Sequence, residues 1–257
     1  MNDLPSVGEL RTVTQPESVV NRPNAEHWMG RLYLRNLSPY ITRIMLRAGL
    51  SANSVTALMI FIGLLGVWSF ALSGPLAYIG VAGVQIYLLL DCVDGEVARF
   101  RGTQSAKGIY LDRWGHYVVE TSMFAALGVR AFNGDEMIYI VIGLLAALLA
   151  ALTKAETDLV DSARLNSNLG VMPQSATVMK NKTLAAGRSI MRFFPFHRLA
   201  HAAEASLAAT VAITIDLVRD DLVASRVTIS AMAVILALIM PLHLTSILLS
   251  TRLTSQN

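Results

Sequence analysis

The sequence predicts an all-α membrane protein with six transmembrane helices and an N-terminal amphipathic helix at the membrane surface. Hydrophobic residues make up 54% of the 257 residues and charged residues only 15%, which leaves little polar surface for a soluble domain of this length. Apolar stretches near the roughly 20 residues that a bilayer span requires recur along the chain. They are residues 53–73, 76–99, 108–131, 136–157, 198–218 and 224–250.

The N-terminal region divides into a polar tail and an amphipathic segment. Residues 1–26 are polar, contain three prolines and lack an apolar core, so we expect a flexible cytoplasmic tail. Residues 27–257 are expected to form one membrane domain. In the part that precedes the first span, arginines alternate with apolar residues at helical spacing, which is typical of a helix lying along the membrane surface.

The distribution of positive charge predicts the orientation in the membrane. Of the 21 Lys and Arg residues, all but Arg130, Arg219 and Arg226 lie near the two termini or around the connections after the second and fourth spans. Basic residues mark the cytoplasmic side. Both termini and these connections are therefore expected to face the cytoplasm, in a bacterial plasma membrane. The net charge of +3 reflects this orientation and does not indicate nucleic-acid binding.

Two adjacent predicted spans carry acidic and small residues on one helical face, with spacings of three or four residues. The positions are Asp91, Asp94, Gly95 and Ala98 on the second span and Gly108, Asp112 and His116 on the third. A short basic connection joins the two spans, so the two faces can turn toward each other. The expected result is an oxygen-rich pocket with bare backbone walls, open to the cytoplasm.

This combination of residues indicates metal-dependent diphosphate chemistry. Clustered carboxylates repel one another and need cations to stay ionised together, and Mg²⁺ prefers oxygen ligands and substrate phosphates. Two such ions can clamp a diphosphate, glycine and alanine leave room for a ring or phosphate, and Arg99 can reach a phosphate. The simpler alternative is that the carboxylates pair with arginines and hold helices together.

The stretch resembles the motif D-x2-D-G-x2-A-R-x8-G-x3-D-x3-D of the CDP-alcohol phosphotransferases, a family of six-span membrane enzymes. Asp91, Asp94, Gly95, Ala98, Arg99, Gly108 and Asp112 occupy the motif positions at matching spacing, and only the last aspartate is replaced, by His116. The resemblance implies transfer of a substituted phosphate from a CDP-alcohol, often CDP-diacylglycerol, to a hydroxyl acceptor, with release of CMP. It also implies a homodimer.

The resemblance further implies roles for individual residues. Asp91, Asp94, Asp112 and the residue at position 116 would hold one or two divalent ions, Mg²⁺ or Mn²⁺. Lys154 corresponds to an acceptor-binding position, although a helix-end lysine is often only a membrane anchor, and Arg198 is a further acceptor-site candidate beside His197, His201 and Glu204. The residues that match the CDP-alcohol site are Asn53, Thr56, Gly95, Ala98, Arg99, Ser105 and Gly108.

His116 leaves three interpretations open. A neutral imidazole can accept the proton of the acceptor alcohol, or it can ligate Mn²⁺ or Zn²⁺ more readily than Mg²⁺. The replacement can also signal lost activity, although the retained carboxylates are costly without metal. Glu120, one turn further on, is placed to orient His116 or to supply the missing carboxylate.

Two functions from other classes remain as alternatives to the enzyme. One is a catalytically silent membrane scaffold that retains nucleotide binding, which metal-dependent CMP release would exclude. The other is an ion-coupled transporter, because intramembrane carboxylates also mark ion paths. The location of the acidic residues at one cytoplasmic end argues against a transport path.

Overall fold

The computed structural model describes residues 5–17, 29–170 and 202–254. The elements in this part of the chain are all helices, which confirms the all-α prediction. A π-helical segment (Gly30–Leu34) precedes α2, and 3₁₀ segments (Gly74–Ala77 and Thr251–Leu253) precede α4 and follow α8. The α-helices are α1 (Val7–Thr14), α2 (Arg35–Arg47), α3 (Ala52–Ser69), α4 (Tyr78–Arg101), α5 (Ala106–Phe132), α6 (Ile138–Asn166), α7 (Ala202–Arg219) and α8 (Val223–Leu248).

Four helical segments of the described residues are long and apolar enough to cross a membrane: Ala52–Ser69, Gly74–Arg101, Ile138–Asn166 and Val223–Leu248. They correspond to the first, second, fourth and sixth predicted spans. Helices α5 and α7 overlap the other two predicted spans, but each contains more charged residues than such a span usually tolerates. The count of six transmembrane helices therefore stays a prediction.

The expectation of a loose N-terminal tail is wrong for residues 7–14, which form helix α1. A capping box begins this helix, because the Ser6 side chain accepts from the Glu9 backbone N–H and the Glu9 side chain accepts from the Ser6 backbone N–H. Leu10 and Thr14 are fully buried, and α1 packs against α2 and α4. Residues 1–4 and 18–26 of the predicted tail lie outside the described residues.

Helix α2 has one exposed apolar face and one buried polar face. Leu37, Tyr40 and Ile44 are 48%, 56% and 58% exposed, at spacings that place them on one side of the helix. Ser38 and Thr42 are fully buried on another side. An exposed apolar stripe is typical of a helix lying at a membrane surface, while the buried hydroxyls require polar partners within the protein.

The chain forms two compact units, Met1–Ser122 and Met123–Asn257. In the first unit, the backbones of α3 and α4 are in direct contact, because a Cβ atom added to Gly83 would overlap the Gly66 Cα atom. Paired small residues allow such close helix packing in membrane proteins. The contact thus packs α3 against α4, the helix that carries Asp91 and Asp94.

The second unit is held by a similar glycine contact and by a buried polar network. A Cβ atom added to Gly143 of α6 would lie 2.7 Å from the Gly128 Cα atom of α5. Arg130 donates from Nε to the Ser225 hydroxyl at 2.9 Å, and its Nη2 lies 3.6 Å from Asp216 Oδ2. Because both charges are buried and bonded, this ion pair ties α5 to α7 and α8 within the second unit.

Candidate active site

The candidate site is carried by the helical hairpin of α4 and the first half of α5. Helix α4 ends at Arg101 and is capped by Gly102, whose φ of 64° is left-handed and whose N–H donates to the Arg99 carbonyl. Ser105 then begins α5, because its hydroxyl accepts the Gly108 N–H at 3.2 Å. This tight connection turns the helical face of α4 with Asp91 and Asp94 toward the face of α5 with Asp112 and His116.

The hairpin brings together three of the four predicted metal ligands. Asp91, Asp112 and His116 each offer one ligand atom, and these atoms all lie within 4.8 Å of one another. His116 Nε2 lies 3.0 Å from Asp91 Oδ1 and 3.5 Å from Asp112 Oδ1. Two carboxylate oxygens and one imidazole nitrogen form a donor set that fits a divalent ion, and the nitrogen favours Mn²⁺ or Zn²⁺ over Mg²⁺.

Asp94, the fourth predicted ligand, is not a member of this three-residue group. Its side chain is buried, with only 8% of the residue exposed, and Oδ2 accepts a 2.6 Å hydrogen bond from the Thr56 hydroxyl on α3. A buried carboxylate needs such a partner. The bond fixes Asp94 against α3, and it brings Asp94 together with Thr56, a residue predicted for the CDP-alcohol site.

The His116 ring is oriented by two buried groups on the side away from the aspartates. Its Nδ1 atom lies 3.1 Å from Glu120 Oε1 and 2.6 Å from the Tyr87 hydroxyl. Tyr87 is fully buried and Glu120 is only 2% exposed. With Nδ1 engaged by these partners, Nε2 is the ring nitrogen directed at Asp91 and Asp112, the arrangement by which proteins hold a histidine for metal or proton chemistry.

Sequence reasoning anticipated the orienting position of Glu120 but missed Tyr87. Tyr87 lies one turn before Asp91 on α4, which places its side chain on the same helical face. Its spacing from Asp91 could have identified Tyr87 as a site residue, because a buried phenol needs a hydrogen-bond partner. In the structure that partner is His116.

Several residues predicted for the CDP-alcohol site also lie together. A Cβ atom added to Gly108 would lie 3.3 Å from Asn53 Oδ1 and 3.5 Å from Ser105 Oγ. A Cβ atom added to Gly95 would lie 3.1 Å from Nη1 and 3.3 Å from Nη2 of Arg99. Because neither glycine has a side chain, these polar groups lie directly against the backbone of Gly108 and Gly95.

The residues predicted for the acceptor site lie in the second compact unit or outside the described residues. Lys154 lies on α6, within the second compact unit. Arg198, His197 and His201 lie outside the described residues. Their proposed contact with an acceptor stays a prediction.

Comparison with known proteins bears on the family and the fold of the chain. The sequence profile of the CDP-alcohol phosphatidyltransferase family matches residues 50–216, and no curated protein sequence matches the chain. Among solved structures, the chain is similar to phosphatidylinositol phosphate synthase of Mycobacterium tuberculosis with CDP-diacylglycerol bound, at 17% identity and a TM-score of 0.55, over 86% of this chain and 98% of that one. The same enzyme with manganese and citrate gives 18% identity and a TM-score of 0.56, over 86% and 93%. These likenesses show a shared fold.

Proposed function

Because the chain belongs to the CDP-alcohol phosphatidyltransferase family, we propose that it transfers a substituted phosphate from CDP-diacylglycerol to a hydroxyl acceptor and releases CMP. Family membership makes the chain a phosphotransferase, and the family depends on a divalent metal. The observation that carries the proposal is the cluster of Asp91, Asp112 and His116, in which Glu120 and Tyr87 contact the Nδ1 atom of His116.

Asp91, Asp94 and Asp112 would hold one or two divalent ions, Mg²⁺ or Mn²⁺. Such an ion supplies neutralisation of the negative charge on the diphosphate and on the leaving CMP. The fit rests on the donor set, since the side chains of Asp91 and Asp112 are 32% and 37% exposed and Asp94 uses only Oδ2 in its bond to Thr56. The other carboxylate oxygen of Asp94 is not used in that bond.

We assign the acceptor proton to His116 Nε2. As the hydroxyl oxygen forms a bond to the phosphorus distal to cytidine, the bond from that phosphorus to the CMP oxygen breaks and the hydroxyl proton passes to the imidazole. Nδ1 is engaged by Glu120 and Tyr87, so Nε2 is the nitrogen that receives it. A nitrogen that ligates a metal has no lone pair for a proton, so ligand and base are exclusive roles for Nε2 at any one moment.

The donor site would lie beside the same hairpin. Asn53 at the start of α3, with Ser105 and Gly108 at the start of α5, forms one polar group around bare backbone, and Gly95 with Arg99 forms another. Thr56 connects α3 to the metal-binding row through Asp94. Ala98 continues the small-residue face of α4. We propose that these residues bind the cytidine diphosphate, and that Lys154 and Arg198 meet the acceptor.

We further propose six transmembrane helices, with α2 on the membrane surface and the active site and both termini on the cytoplasmic side of a bacterial plasma membrane. The exposed apolar residues of α2 and the distribution of arginine and lysine support this orientation. We also propose a homodimer, as the family resemblance implies.

The testing experiment incubates purified protein with CDP-diacylglycerol, Mg²⁺ or Mn²⁺ and a panel of phosphorylated and unphosphorylated alcohols, and measures CMP release. We expect CMP release that depends on both the metal and one class of acceptor. Binding of the donor without CMP release under any condition would favour the silent scaffold. Neither binding nor release, together with ion flux into proteoliposomes, would favour the transporter.

A further inference from the structure

Glu96 is a fully buried carboxylate on α4 that the proposed chemistry does not use. Its Oε1 accepts hydrogen bonds from the Ser38 hydroxyl at 2.5 Å and the Gln15 amide at 2.8 Å. Its Oε2 accepts from the Thr42 hydroxyl at 2.6 Å, and Arg35 Nη1 lies 3.6 Å from Oε1. Burying a carboxylate is costly unless it is surrounded by donors in this way, so Glu96 fixes both N-terminal helices to α4.

Gln15 is the residue through which Glu96 holds helix α1. The Gln15 side-chain amide donates to Glu96 and also, at 2.8 Å, to the Arg35 carbonyl. Gln15 caps the C-terminus of α1, and its backbone N–H donates to the Arg11 carbonyl. Its position therefore determines where the last residue of α1, the fully buried Thr14, places its carbonyl oxygen.

The Thr14 carbonyl in turn accepts a 2.6 Å hydrogen bond from Arg99 Nε. Arg99 is the motif arginine, and its two Nη atoms lie over the bare backbone of Gly95. A guanidinium has its five N–H groups in one rigid plane. When Nε is held by a fixed carbonyl, the directions open to both Nη groups are restricted as well.

We propose that Gln15 and Glu96 are positioning residues for Arg99, and that helix α1 thereby contributes to binding of the donor diphosphate. This proposal rests on the proposed function, because the ligand of Arg99 is the diphosphate of a CDP-alcohol. Preorganised donors bind an anion more tightly, since less side-chain freedom is lost on binding. The N-terminal helix thus raises the affinity for the donor through Arg99, although Gln15 itself does not contact the substrate.

The test compares Gln15→Leu with a matched control, Thr12→Val, on the exposed side of the same helix. Donor affinity is measured by calorimetry with CDP-diacylglycerol in detergent, and KM and kcat are measured by CMP release. Gln15→Leu should raise the Kd and KM for the donor about fivefold, the effect of one ordinary hydrogen bond, with kcat little changed. Thr12→Val should behave like the wild type.

A double-mutant cycle separates positioning from a general structural role. Arg99→Ala alone should weaken donor binding about 10- to 100-fold, as expected for a hydrogen bond with a charged group. Adding Gln15→Leu to Arg99→Ala should produce no further loss, because the residue through which Gln15 acts is already absent. Additive losses, or an unchanged Kd in Gln15→Leu, would overturn the inference. Failure of the wild type to bind the donor would instead reject the proposed function.

Discussion

His116 Nε2 on α5 and Asp91 Oδ1 on α4 lie 3.0 Å apart. A carboxylate oxygen can only accept, and an imidazole nitrogen accepts unless it carries a proton. A proton or a cation must therefore lie between these two atoms for the contact to be favourable. These two states correspond to the two functions proposed for the site. The cation corresponds to metal binding by the aspartates, and the proton corresponds to proton acceptance by His116.

Asp91→Asn is expected to abolish CMP release while the protein stays folded in detergent. The change preserves the shape of the side chain but removes a negative charge that the divalent ion requires. The measurements are CMP release and Mn²⁺ binding. Asp220→Asn is the matched control, because Asp220 is exposed and its positive φ of 54° is tolerated by asparagine. Normal turnover of Asp91→Asn would reject the metal assignment.

His116→Ala is expected to reduce turnover by roughly 10²- to 10⁴-fold, the usual contribution of a positioned base. Mn²⁺ affinity should be largely retained if His116 is the base, because the three aspartates remain. A comparable loss of Mn²⁺ affinity would identify His116 as a ligand instead. His116→Asp should keep substantial activity, because a carboxylate can also accept the proton. If His116 is a ligand, this variant should also shift the preference toward Mg²⁺, since an oxygen donor replaces a nitrogen.

Tyr87→Phe is expected to lower kcat about fivefold with little effect on donor binding. The variant removes only the hydroxyl that lies 2.6 Å from His116 Nδ1, and one neutral hydrogen bond contributes about 1 kcal/mol. Tyr40→Phe is the control, because Tyr40 is 56% exposed on α2. If kcat is the same in Tyr87→Phe and the wild type, Tyr87 does not orient His116.

Gly95→Leu is expected to weaken binding of the CDP-alcohol sharply without unfolding the protein. A Cβ atom at this position already lies 3.1 Å from Arg99 Nη1, so a leucine must displace the guanidinium from the proposed diphosphate site. Calorimetric titration with CDP measures the loss, and Ala237→Leu, at an exposed position of α8, serves as the control. Unchanged CDP affinity would mean that the nucleotide site lies elsewhere.

Helix α1 is expected to loosen at acid pH. The pKa of Glu9 lies below its ordinary value because the Ser6 backbone N–H and hydroxyl donate hydrogen bonds to its carboxylate. A lowered folded-state pKa stabilises the helix above the ordinary glutamate pKa, and this contribution is lost as the pH falls through the folded value. Hydrogen-exchange protection of the α1 amides should show this loss. Glu9→Gln should show no corresponding step.

The N-terminal region shows where sequence reasoning was insufficient. Residues 1–26 read as a tail because their composition is polar, yet Ser6 and Glu9 form a capping box and α1 is folded against α4. The capping-box spacing was visible in the sequence. The partner of the helix was not, because a short helix gains its stability from tertiary contacts rather than from its own propensity.

The membrane class, the helical hairpin and the helical face with the candidate metal ligands could all be predicted from the sequence. Those features follow from local periodicity, because residues three or four apart on a helix share a face whatever surrounds it. Tertiary contacts were needed to show how Tyr87 orients His116, how Thr56 holds Asp94 and how the N-terminal helix holds Arg99. The bonds from Gln15 to Glu96 and from Arg99 to Thr14 join residues 81 and 85 positions apart. Such contacts depend on which helix faces pack together, and no periodicity within a single helix specifies that.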